Sequence, residues 1–152
     1  MLTNDIFRRV RYAIDLSDSL TVDLVRQGGQ ELNREQLQHY LAREEEDGFE
    51  RCPDVILAAF LNGLVIHRRG ARGEVPEPEK AMDNNLTLKK LRIAFKLEET
   101  ELLDLLEGGP VTLSRSELSA FFRKPGHKHY RPCGDQVLRQ LLKGLTLKYR
   151  PE

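Results

Sequence analysis

The sequence has no tryptophan, only two cysteines and two methionines, and no excess of either charge. Each scarcity excludes something. Two cysteines cannot staple a domain of this size, so neither a disulfide scaffold nor an oxidising compartment is indicated. No apolar run approaches the ~20 residues that span a bilayer, and no charged-then-apolar leader opens the chain, so a cytoplasmic location without membrane contact is expected. Lys plus Arg equals Asp plus Glu, which removes the simplest electrostatic argument for a nucleic-acid or anionic-membrane partner. That balance conceals an asymmetry. Residues 1–70 hold nine Arg against twelve Asp or Glu, whereas residues 81–152 hold thirteen Lys or Arg against nine acidic residues.

The asymmetry divides the chain where a repeat divides it. Residues 4–69 and 85–150 align without a gap at an offset of 81. Asn4 meets Asn85, Arg11 meets Arg92, Gly28 meets Gly109, Cys52 meets Cys133, Asp54 meets Asp135 and Gly63-Leu64 meets Gly144-Leu145. The period is too long for a solenoid unit and suits a small helical one. Residues 1–70 are read as one repeat, 71–80 as a Gly, Pro and Glu-containing linker, and 81–152 as the second repeat.

Apolar residues recur at helical spacing, as in Phe7, Val10 and Ile14 and their counterparts Leu88, Leu91 and Phe95. The pattern predicts four helices per repeat. Asn4 and Asn85 are read as caps of the first helices, and Asp54 and Asp135 as caps of the fourth. Ser114 with Glu117 predicts a capping box at the third helix, and Asn33 with Gln36 a weaker counterpart. Gly63 and Gly144 fall inside the fourth helices, where glycine costs about 1 kcal/mol relative to alanine. Close approach of another helix is the expected compensation, with the two fourth helices crossing each other. The fold class is all-α, two tandem four-helix repeats packed with pseudo-twofold symmetry.

Few residues suggest chemistry. Arg11 and Arg92 interrupt apolar faces, and structural ion pairs to Asp54 and Asp135 within each repeat are the simplest explanation. Cys52 and Cys133 precede a helix N-terminus, which favours a thiolate, but no His and Asp or Asn recur with them. His127, His129 and Cys133 are metal-capable residue types at an uncommon spacing, absent from the first repeat, and no metal or cofactor is expected. The loop of residues 42–51 is acidic and its counterpart, 123–132, is basic. Arg8, Arg9, Lys89, Lys90, Lys124, Lys128, Tyr130 and Arg131 form the candidate contact set for an anion or nucleic acid, with Tyr130 able to stack on a base.

Several segments carry a resemblance: Asn4 through Tyr12, Gly48 through Asp54, Phe60 through Leu64, Asn84-Asn85, Lys89 through Phe95, and Tyr130 through Asp135. Together they resemble the YehS-like family of bacterial cytoplasmic proteins, over nearly the whole chain. The resemblance implies a bacterial cytosolic protein with a doubled domain of unknown function, and brings no catalytic residue with it. The expectation is a non-catalytic binding or adaptor module, with a protein partner or self-association favoured. Nucleic-acid binding through the basic surface of the second repeat is the alternative.

Overall fold

A computed structural model describes residues 1–71 and 73–150. Among them are eight helices and no strand. The first repeat contributes α1 (Thr3–Ala13), α2 (Asp18–Gln27), α3 (Arg34–Leu41) and α4 (Asp54–Arg69). The second contributes α5 (Asn84–Phe95), α6 (Glu99–Leu106), α7 (Arg115–Ala120) and α8 (Asp135–Tyr149). None is long and apolar enough to cross a membrane.

The capping boxes form as the sequence predicts, at Asn33 with Gln36 and at Ser114 with Glu117. The other predicted caps are corrected. Leu2 and Asp83 cap α1 and α5, leaving Asn4 and Asn85 one position inside each helix. Pro53 and Gly134 precede α4 and α8, so Asp54 and Asp135 are the first helical residues. Asn4 and Asn85 instead reach into the fold. The Asn4 amide donates to the carbonyls of Tyr40 and Glu50 at 3.0 and 2.8 Å and accepts from the Cys52 backbone N–H at 2.9 Å. Asn85 repeats the arrangement with Phe121, Arg131 and Cys133. One side chain thereby satisfies three backbone groups that the connection between third and fourth helices would otherwise leave unpaired. The repetition extends to the backbone, because Asp15 and Lys96, also matched residues, are among the described residues the two non-glycine positions with positive φ, at 52° and 53°.

The repeats share one hydrophobic core, with Phe7 of α1 stacked on Phe60 of α4 at 4.5 Å between ring centroids. Within the first repeat α4 packs on α2, and across the repeats it packs on α5; α8 likewise packs on α6 and on α1. Each first helix therefore lies against the fourth helix of the other repeat. The close approach expected at Gly63 is present, but its partner is the second helix of the same repeat. A Cβ on Gly63 would lie 1.8 Å from the Leu24 carbonyl oxygen, and one on Gly28 would lie 1.7 Å from that of Ala59. At Gly144 the corresponding oxygen, on Leu105, is 2.3 Å away. The expected crossing of the two fourth helices at these glycines is replaced by crossings with α2 and α6, because backbone contact of this closeness needs glycine where the second helix passes.

Candidate functional site

The arginines and aspartates read as ion pairs take other partners. Arg11 pairs with Asp18 at the start of α2. Arg92 donates through Nε to the Leu97 carbonyl at 3.0 Å and lies over the Phe122 ring, 4.6 Å from its centroid. Asp54 accepts from the backbone nitrogen of Met82 at 2.9 Å, and Asp135 from that of Met1 at 2.7 Å. Met1 and Met82 are themselves matched by the offset of 81, so each carboxylate ties its fourth helix to the segment that begins the other repeat's first helix. The Met1 amino group, with Asn84 behind it, holds the Asp135 carboxyl below the usual carboxylate range. Sequence spacing pointed to pairing within a repeat; packing between repeats redirects it.

The thiols are buried and unpaired with each other. Burial pushes Cys52 up to about 12 and Cys133 up to about 11, with Asp54 and Asp135 adding repulsion to the thiolate. Desolvation and those carboxylates outweigh the helix N-terminus that sequence position suggested would favour the thiolate. The His127 and His129 rings lie 5.6 Å apart on the exposed loop, where His127 Nδ1 accepts the His129 backbone N–H. Cys133 is buried away from them, and among the described residues no group of three His, Cys, Asp or Glu is placed to hold a metal ion.

The candidate basic residues fall into three environments. Arg8 pairs with Asp5, and Lys89 is exposed. Lys124, Lys128 and Arg131 are exposed on the basic loop beside Tyr130, where a hollow of about 580 Å³ opens; Arg131 reaches Glu117 at 3.2 Å. Among the described residues no ion pair joins this loop to the acidic one. Arg9 and Lys90, a matched pair, sit at the two clefts where a first helix meets the other repeat's fourth helix.

Those clefts differ. In the first, the linker runs between α2 and α5. Pro78 packs against Gly29, approaching to 3.1 Å of where a Cβ would stand, and Glu79 lies 3.0 Å from the Lys90 ammonium. Lys90 also donates to Asn62 at 2.6 Å and is withdrawn from solvent, while Ala58 nearby is fully buried. In the second cleft, between α6, α8 and α1, no such segment lies among the described residues. Arg9, Arg139 and Lys143 stand where the first cleft has Lys90, Ala58 and Asn62, and all three are exposed around a cavity of about 510 Å³. Arg139 reaches only Asp135, at 4.0 Å, and among the described residues Arg9 and Lys143 form no ion pair. Glu107 is the one acidic residue in the lining.

Gln140 helps to hold this second cleft open. It replaces Ala59 at the crossing of second and fourth helices and is inserted between them. Its amide donates to the carbonyls of Leu106 and Val111 at 3.0 Å each and accepts from the Val111 N–H at 2.9 Å. Leu147, matched to the half-buried Ile66, is left 64% exposed at the cavity wall. Arg139, Lys143 and Leu147 are functional candidates that the helical pattern alone does not single out. For the two cations the signal was available in the repeat alignment, as Ala58→Arg and Asn62→Lys, whereas Ile66→Leu shows nothing of the exposure of Leu147.

An all-helical tandem duplicate with one covered and one open cleft is the class of protein this geometry defines. Matches to known proteins agree with the duplication: the family described as "Protein of unknown function (DUF1456)" matches twice, over residues 3–70 and 84–150. The chain belongs to that family. It is 43% identical over 150 residues, 97% of this chain and 96% of the relative, to "Uncharacterized protein YehS" of Escherichia coli (strain K12). No solved structure matches.

Proposed function

We propose that this protein is a non-catalytic binding module of the bacterial cytoplasm and that its contact surface is the open cleft of the second repeat. The observation that carries the reading is the difference between two clefts of common design. One is covered by the chain's own linker, and the other presents Arg9, Arg139, Lys143 and Leu147 to solvent. Exposed cations around an exposed apolar side chain favour association with an acidic partner and raise its on-rate. A non-catalytic role is supported by the state of the duplicated thiols, Cys52 and Cys133, which are buried and held in the thiol form.

Nucleic-acid binding is the second reading, favoured by the exposed Lys124, Lys128 and Arg131 around Tyr130. Site-specific photo-crosslinking in cells separates the two. A crosslinker at position 143 is expected to give protein adducts that disappear when Arg9→Glu is added. Nuclease-sensitive adducts from position 128, with none from 143, would replace the first reading by the second.

A further inference from the structure

The linker shows what a cleft of this design accepts. Residues 74–79 read Glu-Val-Pro-Glu-Pro-Glu. Along the first cleft, Val75 and Pro76 border a cavity that they share with Ile66, Ile93 and Lys90. Pro78 then meets Gly29, and Glu79 meets Lys90. The seat combines an apolar wall, a surface for proline and a cation for the glutamate. Proline suits such a strand because its fixed φ keeps the segment extended and lowers the entropy lost on docking.

The second cleft offers an apolar wall and cations, and among the described residues no segment of its own chain lies across it. Leu147 takes the place of Ile66, Arg9 that of Lys90, and Lys143 that of Asn62. The wall is more exposed, the lining carries Arg9, Arg139 and Lys143 against Arg69 and Lys90, and the cavity is about 510 Å³ against about 290 Å³ beneath the linker. Pro110 replaces Gly29, and Gln140 is inserted at the crossing, so an occupant's backbone would sit farther from the second helix than the linker does.

We infer that the open cleft binds an extended, glutamate- and proline-containing segment of a partner protein, in the place where the linker lies across the first cleft. The inference rests on the reading that the open cleft is the contact surface and names the chemistry of what docks there. Its glutamates meet Arg9 and Lys143, and an apolar residue between prolines covers Leu147.

The test uses the full chain and a fluorescein-labelled peptide with the sequence of residues 74–80, followed by anisotropy. Saturable binding is expected, weakened about tenfold by Arg9→Glu with Lys143→Glu, since two exposed ion pairs turn repulsive. Both positions are exposed, so an unchanged thermal melt identifies the loss as one of binding. A peptide with lysine in place of glutamate should bind the double variant and not the parent.

Three results overturn the proposal: binding of the parent peptide indifferent to the double variant, equal binding of a peptide with glutamate alone and no proline or valine, or labelled RNA that binds in the same cleft and is lost on the same variant. Failure of the peptide while protein adducts persist at position 143 would remove the acidic segment and leave the cleft reading in place. Absence of both would remove both.

Discussion

Glu79 lies 3.0 Å from the ammonium of Lys90 and fastens the linker to a helix of the second repeat. The Lys90 side chain is only 11% exposed, and it also donates to Asn62. Removing one member of a half-buried pair leaves the other desolvated without its counter-charge. Glu79→Lys is therefore expected to lower stability by about 1–2 kcal/mol and to release the linker. Limited proteolysis should cut the variant between residues 74 and 82 well before the parent. Equal cutting rates would show that the pair does not hold the segment.

The helix crossings give a ranked expectation. Gly63→Ala places a methyl 1.8 Å from the Leu24 carbonyl oxygen, where two backbones must separate. Overpacking of this kind costs about 1–3 kcal/mol or more, against a helix-propensity gain of about 1 kcal/mol. Gly144→Ala meets the Leu105 oxygen at 2.3 Å, across a crossing already widened by Gln140, and should cost less. Gly134→Ala, with open space around it, should change little. Thermal melts of the three variants decide the matter, and a Gly144 variant less stable than the Gly63 variant would contradict the geometry.

The thiols predict an alkaline limb in stability. A thiol whose folded pKa lies above its unfolded value stabilises the fold below the unfolded pKa, and that contribution fades as pH rises toward the folded one. For Cys52 the window runs from about 9 to about 12, and for Cys133 from about 9 to about 11. Denaturant midpoints should fall across that range, and the fall should be shallower in Cys52→Ala. At about pH 8 neither thiol should react with a disulfide reagent until the chain is unfolded. Rapid modification of the native protein would contradict the burial of both.

The ungapped offset of 81 made the duplication, the helix number and both capping boxes legible, because all are written in local patterns. What was not legible depends on which repeat a side chain faces. Asn4 near a helix start reads as a cap, and only the folded connection between α3 and α4 shows that it pairs three backbone groups there. Asp54 reads as a partner for Arg11 until Met82 is brought to it from the other repeat. The linker's Gly, Pro and Glu composition suggests a solvated tether, whereas Pro78 and Glu79 are half-buried against Gly29 and Lys90. In the candidate site, Arg9 was read from sequence as a basic residue, but the cleft that gives it company is built by α6 and α8.

The lodging of each first helix against the opposite repeat's fourth helix also bears on ancestry. A chain holding one repeat would have that face bare, and two such chains would cover each other as the repeats do here, in a homodimer whose existence depended on concentration. Joining the halves in one gene makes the pairing unconditional. It also frees the halves from identity, since a substitution in a homodimer appears twice and one in the fused chain appears once. Gln140 opposite Ala59 and Lys143 opposite Asn62 are departures open to the fused form alone.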